Sequence, residues 1–210
     1  AYLAAGAAGS YCGACACDAA LARGLRAAGH DVALVPLYTP LRVDGPDPGA
    51  GGVFLGGINC WLQQRCGLFR RTPRFVDWLL DRPALLRLAS RFAVETAPER
   101  LGPMTVSVLR GADGRQRKEL ARLLRFLASD VRPEVVNLTN SLLSGLAPAI
   151  KSKLGVPVVC TLQGEESFIG RLPSPFREEA QALLRSNAEA VDLFVAPAAA
   201  YAAEMAEYLA

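Results

Sequence analysis

Short apolar runs alternate with amphipathic helical patterns at both ends of the chain. The runs AYLAAG at residues 1–6 and DVALVP at residues 31–36 are typical of strands. Between them, small and apolar residues recur at steps of three and four over residues 14–28, which predicts a helix that ends at Gly29. The predicted buried face consists of Cys17, Ala20, Leu21, Gly24, Leu25 and Ala28. The first 36 residues therefore have the order of a β-α-β unit.

The second half of the chain repeats this alternation. EVVNLT at 134–139, VPVVCTLQG at 156–164 and VDLFVAP at 191–197 are β-branched runs of the kind that parallel sheets bury on both faces. Helices are predicted at 113–131, 141–154, 174–188 and 199–209, the first of them with Asp113 and Gln116 as a capping box. Since a proline costs about 3 kcal/mol inside a helix, the helix that holds Pro148 either kinks or begins near Ala147.

The middle of the chain, from residue 37 to residue 110, is too long to be a plain connection between strands. Its pattern predicts a loop at 42–52, a short strand at 53–55 and helical pieces broken at Pro73, Pro83, Pro98 and Pro103. We therefore expect a single α/β domain over residues 1–210, with a Rossmann-like three-layer sandwich, a mostly parallel sheet and a helical insertion at 58–110.

Composition and charge narrow the function classes. The chain has 210 residues, of which 51% are hydrophobic and 20% charged, and this excludes an intrinsically disordered protein. A formal charge of +3 does not indicate a nucleic-acid partner, because such proteins carry a concentrated basic stripe. We expect no membrane span, since no run of 18 apolar residues occurs, and a cytoplasmic location, since six cysteines are too sparse for a disulfide framework.

Two local clusters each have two interpretations. Cys12, Cys15 and Cys17 resemble a run of metal ligands, but Cys60 and Cys66 have the wrong spacing for a second pair, so we expect packing residues and no metal. Residues 65–91 hold seven arginines and two aspartates among leucines and aromatic residues. Solvated arginines on ordinary surface helices are the favoured reading, and peripheral contact with an anionic membrane is the alternative.

Candidate chemistry follows the strands, because ligands of doubly wound sheets bind beyond the carboxyl ends of the strands. After the first strand, GAAGSYCG offers the glycines Gly9 and Gly13, which allow close backbone approach, and the hydroxyls of Ser10 and Tyr11. A phosphate or a sugar hydroxyl fits this loop, whereas a turn needed only for packing is the other interpretation. The loop lacks the G-x-G-x-x-G pattern, which argues against a dinucleotide domain.

Polar residues also follow the later strands. Asn137 and Thr139 share one side of their strand, and Asn140 lies just past it. Glu165 and Glu166 follow the next strand, where a pair of carboxylates could orient sugar hydroxyls or act in acid/base catalysis. In an extended chain they would point in opposite directions, so that at most one would face a cleft. The competing interpretation makes the two glutamates solvated residues or part of the first turn of a helix. The predicted substrate-binding residues after the later strands are Asn140, Gln163, Glu165 and Glu166.

These features together resemble the amino-terminal domain of retaining family 4 glycosyltransferases. The resemblance rests on the glycine-rich loop, on LRAAGHDVALV, on RPEVVNLTNSLLSGLAPAIKSKLGVPVVCTLQGEE and on VDLFVAPAAAYAAEMAEYL. It implies one half of a GT-B architecture, in which two Rossmann-like domains face each other. A sugar epimerase of similar fold and a non-catalytic binding module are the alternatives.

The resemblance also implies a reaction and a set of site residues. A sugar would pass from a nucleotide sugar to a sugar or lipid-linked acceptor with retention at the anomeric carbon, without a cofactor or essential metal, at the cytoplasmic face of the membrane or in the cytoplasm. Gly9, Ser10 and Gly13 would approach the donor diphosphate. Gln163 stands where many members carry a histidine near the reacting sugar; glutamine donates hydrogen bonds but does not titrate. The main nucleotide site would lie in a carboxyl-terminal domain beyond residue 210, so this piece alone is expected to be inactive.

Overall fold

The computed structural model describes residues 1–5, 13–38, 54 and 98–210. The chain divides into two compact units, Ala1–Val94 and Glu95–Ala210. Several predicted features lie outside the described residues: the glycine-rich loop before Gly13 with Cys12, the loop at 42–52, the short strand at 53–55 apart from Phe54, Cys60 and Cys66, the breaks at Pro73 and Pro83, and the arginine-rich segment at 65–91. The single domain over 1–210 with an insertion at 58–110 stays a prediction.

The first unit contains the predicted β-α-β elements. Strand β1 covers Tyr2–Ala4, helix α1 covers Gly13–Ala27 and strand β2 covers Leu34–Pro36. The two strands are parallel, with Tyr2 opposite Leu34, and Gly29 ends the helix region with a φ of 92°. Tyr2, Ala4, Ala22, Val32 and Leu34 form a small apolar core.

The predicted buried face of α1 is wrong. Cys17 is exposed and Leu21 is 44% exposed, whereas the buried residues of the helix are Cys15, Asp18, Ala19 and Ala22. The reason is a buried polar pair, because the Tyr2 hydroxyl donates a hydrogen bond of 2.7 Å to the Asp18 carboxylate. A periodicity of apolar residues does not detect an aspartate that faces inward.

The second unit contains three parallel strands in the predicted places. Strand β3 covers Val136–Leu138, β4 covers Val158–Thr161 and β5 covers Leu193–Val195. On one face of these strands, Val136, Leu138, Val158 and Cys160 are fully buried. Five strands that pair in parallel and seven helices, counted over the described residues, make this an α/β fold of the Rossmann-like type, as predicted.

The expectation that every late strand is buried on both faces is wrong for β5. Leu193 is 56% exposed and Val195 is 44% exposed. β5 is the last strand in the sheet order, and these two side chains share a face with the half-buried Val159 and Thr161 of β4. That face is therefore less covered than the face that carries Cys160.

Six helices accompany these strands in the second unit as described. They are α2 at Pro98–Leu109, α3 at Arg117–Phe126, α4 at Ala147–Leu154, α5 at Glu165–Gly170, α6 at Phe176–Ala188 and α7 at Ala199–Leu209. A 3₁₀ turn at Ser141–Leu146 precedes α4, so this helix begins at Ala147 as one of the two predicted alternatives requires. The predicted break at Pro103 is wrong, because that proline lies inside α2.

The predicted capping box of Asp113 and Gln116 is also wrong. Helix α3 begins at Arg117, and Gln116 precedes it without a side-chain cap bond. The buried side-chain oxygen of Gln116 instead accepts a 2.7 Å hydrogen bond from Ser107 Oγ, which itself accepts a hydrogen bond from the backbone N–H of Arg115. This contact with α2 occupies the side chain that the box would have used.

A close approach of two backbones fixes the turn after β3. A Cβ atom on Gly145 would lie 2.4 Å from the carbonyl oxygen of Leu109 and 2.5 Å from that of Val108. Next to this contact, Val106, Leu109, Ile169, Leu172, Ala180 and Leu184 form an apolar cluster that joins α2, α5 and α6. The loops at the carboxyl ends of β3 and β4 therefore rest on a packed base.

Candidate functional site

Polar side chains collect where β3 and β4 end. Thr139 and Asn140 follow β3, and Gln163 follows β4 two residues after its end. Because the two strands are parallel neighbours, their carboxyl ends lie at the same edge of the sheet. The structure thus brings together Asn140 and Gln163, two of the predicted site residues.

The Gln163 side chain is bound to the neighbouring loop. Its Nε2 donates to the carbonyl oxygen of Thr139 at 2.8 Å and to Thr139 Oγ1 at 2.9 Å. One step back along both strands, Thr161 Oγ1 donates to Asn137 Oδ1 at 3.2 Å. The two amide hydrogens expected to reach a substrate are therefore directed at Thr139, which fixes the orientation of the Gln163 amide.

Glu165 connects the two loops. Its side chain is buried, with 5% of the residue exposed. Oε1 accepts a 2.7 Å hydrogen bond from the backbone N–H of Ser141, and Oε2 accepts one of 2.7 Å from the backbone N–H of Gln163. One carboxylate thus holds the chain after β3 and the chain after β4 in fixed positions.

The expected opposite orientation of Glu165 and Glu166 is wrong. Both residues lie in the first turn of α5, where the chain is helical rather than extended. Their carboxylates converge on one hydroxyl, that of Tyr201 on α7, whose oxygen lies 2.9 Å from Glu165 Oε2 and 2.7 Å from Glu166 Oε2 and whose single hydrogen can be donated to either. Glu165 and Glu166 therefore lie in the first turn of a helix, as the competing interpretation predicts.

Sequence analysis did not identify Tyr201. The same hydroxyl accepts hydrogen bonds from the backbone N–H groups of Gly164 at 2.8 Å and Glu165 at 3.2 Å. It lies 36 residues from Glu165 in a run of alanines, and no local motif points to it. The one available signal is that Tyr201 is a polar aromatic residue in an otherwise small-residue turn of the helix.

These contacts perturb the acidities of the groups involved. Desolvation opposes ionisation of Glu166, but hydrogen bonds from Tyr201 and Ser167 outweigh it and lower the pKa of this carboxyl. Desolvation, followed by the hydrogen bond to Glu166 and the charge of Glu165, raises the pKa of Tyr201. Burial, with a smaller contribution from Glu165, likewise raises the pKa of the Cys160 thiol. At neutral pH the site therefore presents a carboxylate at Glu166 and a protonated phenol.

Two buried polar atoms beside Glu165 have no hydrogen-bond partner among the described residues. They are Asn140 Oδ1 and Ser141 Oγ. Asn140 also forms no side-chain cap bond to the 3₁₀ turn that it precedes. Since buried polar atoms in folded proteins are nearly always paired, this spot suits a hydroxyl-rich ligand or a bound water molecule.

The remaining predicted residues belong to the first unit or lie outside the described part. Gly13 is the exposed first residue of α1, and Gly9, Ser10 and Tyr11 lie outside the described residues. Over the described ranges, no three His, Cys, Asp or Glu side chains group as a metal site. Within those same ranges, no helix is both long and apolar enough to cross a membrane.

A comparison with models of known protein families shows the family to which the chain belongs. The model of the glycosyl transferase 4-like domain matches residues 16–210. The chain belongs to the glycosyltransferase 4-like family. The match leaves out β1 and the first three residues of α1, and it includes every residue of the cluster around Glu165. No curated protein and no solved structure matches this glycosyltransferase 4-like chain.

Proposed function

We propose that the chain forms the acceptor-side half of a retaining GT-B glycosyltransferase. The enzyme would transfer a sugar from a nucleotide sugar to a sugar or lipid-linked acceptor, without a cofactor or essential metal. The observation that carries this proposal is the polar cluster at the carboxyl ends of β3 and β4 within a glycosyltransferase 4-like domain. Its amides, hydroxyls and carboxylates match the hydrogen-bonding groups of a sugar.

The contacts of each side chain suggest a division of roles. Glu166 is half-buried and lies at the rim of the cluster, so we assign to it the acceptance of a hydrogen bond from a sugar hydroxyl. Asn140 contributes an amide whose buried oxygen has no partner among the described residues. Glu165, whose two oxygens accept internal hydrogen bonds, positions the loops and does not contact the substrate.

The reaction does not need a titrating group at Gln163. A glutamine holds its orientation but carries no proton between donor and acceptor. The barrier to sugar transfer is lowered chiefly by stabilising the leaving diphosphate, since electrostatic stabilisation is usually the largest contribution to catalysis. We assign part of this stabilisation to the loop with Gly9, Ser10 and Gly13, and the larger part to a second domain. Residues 1–210 alone are then expected to turn over little donor.

A panel of donors tests the proposal. Full-length protein would be incubated with UDP-, GDP- and ADP-linked hexoses and with sugar or polyprenyl-phosphate acceptors, and products would be followed by mass spectrometry. We expect transfer from one donor class, with the anomeric configuration of the donor preserved in the proton NMR spectrum of the product. An inverted product would contradict the retaining mechanism, and failure of every activated sugar to bind would contradict the enzyme assignment.

The cytoplasmic location and the membrane contact are part of the proposal as well. Flotation with vesicles that contain anionic lipid, compared with neutral vesicles, tests whether residues 65–91 adhere. Adhesion that is lost at high salt would support contact through the arginines, because salt screens attraction to charged headgroups. Equal behaviour with both vesicle types would leave these arginines as solvated surface residues.

A further inference from the structure

The hydroxyl of Tyr201 has more polar neighbours than it can bind at one time. It accepts hydrogen bonds from the backbone N–H groups of Gly164 and Glu165 and lies within donating distance of the carboxylates of Glu165 and Glu166. A phenol has two lone pairs and one hydrogen. The two N–H groups occupy the lone pairs, so the hydrogen goes to one carboxylate at a time.

The backbone uses this hydroxyl because Gly164, the residue before α5, offers no side-chain cap. Gly164 has a φ of 88°, in the left-handed region, and as the residue before the helix it has no side chain that could accept hydrogen bonds. The first N–H groups of a helix require acceptors from outside the helix. A residue of α7 supplies one, and thereby fixes the 163–166 turn relative to the end of β4.

The choice between the two carboxylates favours Glu166. Glu165 already accepts from the backbone N–H groups of Ser141 and Gln163. Glu166 accepts at Oε1 from the exposed Ser167 hydroxyl at 2.9 Å, and its Oε2 faces Tyr201 at 2.7 Å. When another hydroxyl donates to Glu166, the Tyr201 hydrogen can turn to Glu165 Oε2, so neither carboxylate loses its hydrogen bonding.

We propose that Tyr201 is a positioning residue for Glu166. Its hydroxyl fixes the 163–166 turn and orients the Glu166 carboxylate to accept a hydrogen bond from a hydroxyl of the sugar substrate. The part that concerns the sugar rests on the proposed function, whereas the part that concerns the turn does not. Tyr201 acts through Glu166 and does not contact the substrate.

The experiment compares Tyr201→Phe with Tyr208→Phe in full-length protein. Tyr208 lies on the same helix and packs against the apolar cluster of α2, α5 and α6, and its hydroxyl has no hydrogen bond to the described residues. In Y201F we expect amide hydrogen exchange at Gly164 and Glu165 to become at least about fivefold faster, the change expected for one lost hydrogen bond. Y208F is expected to exchange at these amides as the wild type does.

A second readout follows the Glu166 carboxyl by carbon-13 NMR. Loss of the Tyr201 donor removes a hydrogen bond that favours the charged form and leaves the neighbouring Glu165 charge in place, so in Y201F this group should titrate closer to its ordinary pKa of 4.5. Ser167 still faces Glu166 in this variant. Unchanged titration of Glu166 together with unchanged exchange at Gly164 would overturn the proposal.

The third readout is kinetic and uses the nucleotide sugar that the donor panel identifies. Tyr201→Phe and Glu166→Gln are each expected to lower kcat/KM about tenfold, and the double variant should be no worse than Glu166→Gln alone, because contacting residues are not additive. Additive losses would overturn the action through Glu166. If the panel yields no substrate, the exchange and titration results still decide whether Tyr201 positions Glu166. In that case only the part of the proposal that concerns a sugar hydroxyl is contradicted, together with the proposed function.

Discussion

Glu165 is a buried acid whose side chain links two loops by accepting hydrogen bonds from the backbone of each. Taking a carboxylate out of water costs several kcal/mol, and only good hydrogen bonds offset that cost. Glu165 accepts two, from the backbone N–H groups of Ser141 and Gln163, both at 2.7 Å, and the Tyr201 hydrogen can turn to it as a third. Charge-assisted hydrogen bonds of this length contribute about 1.5 to 3 kcal/mol each, so these contacts offset the cost of burying the side chain.

Glu165→Gln tests this account at the level of one residue. The glutamine keeps the shape, but its NH₂ group faces a backbone N–H group, which is then left unpaired. We expect the free energy of unfolding to fall by about 2 to 4 kcal/mol in urea denaturation. The matched control is Glu204→Gln on the exposed surface of α7, with a change within about 0.5 kcal/mol. Equal stabilities of the two variants would contradict the bridging role.

Sequence analysis could place these residues but not their partners. The TLQGEES segment follows a strand, which was enough to predict Gln163, Glu165 and Glu166 as candidates. Both glutamates contact Tyr201, 36 residues beyond Glu165 and 35 beyond Glu166, and Glu165 also contacts Ser141, 24 residues before it. Hydrogen bonds between residues this far apart in the chain do not produce a periodic pattern that sequence analysis could detect.

At the level of elements, the 3₁₀ turn after β3 packs closely against the end of α2, and this contact is possible because Gly145 has no side chain. Gly145→Ala would place a methyl group against the carbonyl oxygens of Val108 and Leu109, at 2.5 and 2.4 Å. We expect a loss of about 1 to 3 kcal/mol in stability, as for other overpacked sites. Gly170→Ala, where an added Cβ meets nothing within 4 Å, serves as the control in thermal or urea denaturation. A loss of the same size in both variants would contradict the contact.

The start of β5 is tied to β4 and α4 through Asp192. Its Oδ2 accepts from the backbone N–H of Val158 at 2.8 Å, and its Oδ1 accepts from Lys151 Nζ at 2.6 Å. The hydrogen bond from Lys151, and then that from Val158, lower the pKa of the Asp192 carboxyl below its ordinary value of 3.8. This tie compensates in part for the exposed position of the strand.

A pH dependence follows from this lowered pKa. The carboxylate stabilises the folded state at pH values above the unfolded pKa of 3.8, and the contribution is lost as the pH falls through the lower folded pKa. Wild type should therefore exceed Asp192→Asn in its urea midpoint at pH 7, and the difference should disappear toward pH 2. A constant difference across the range would contradict the linkage.

At the level of the whole molecule, the order of strands and helices could be predicted because each has its own period or apolar run. The helix at 199–209 and the start of α4 at Ala147 match the prediction, since alanine-rich and proline-marked boundaries are local signals. The inward face of α1 could not be predicted, because the buried Asp18 accepts a hydrogen bond from Tyr2, 16 residues before it in the chain. The exposure of Leu193 and Val195 on β5 depends on which elements cover that face of the sheet, and the sequence of the strand alone does not contain this information.

The whole-molecule prediction concerns the glycine-rich loop. In full-length protein, Gly9→Leu is expected to abolish transfer, since a side chain there would prevent the backbone from approaching the donor diphosphate. Gly170→Leu, at an exposed position with open space around its Cα, is the control and should retain activity. Product formation by both variants at the wild-type rate would mean that the loop serves packing alone.

The position of Tyr201 also has a consequence for the newly made chain. Proteins emerge from the ribosome amino end first, so the strands that carry Thr139 and Gln163 leave the exit tunnel before the helix at Ala199–Leu209. Until that helix is free to dock, the amides of Gly164 and Glu165 lack their hydroxyl acceptor. The polar edge at the ends of β3 and β4 is thus completed only once Tyr201 has emerged, after the strands that support this edge.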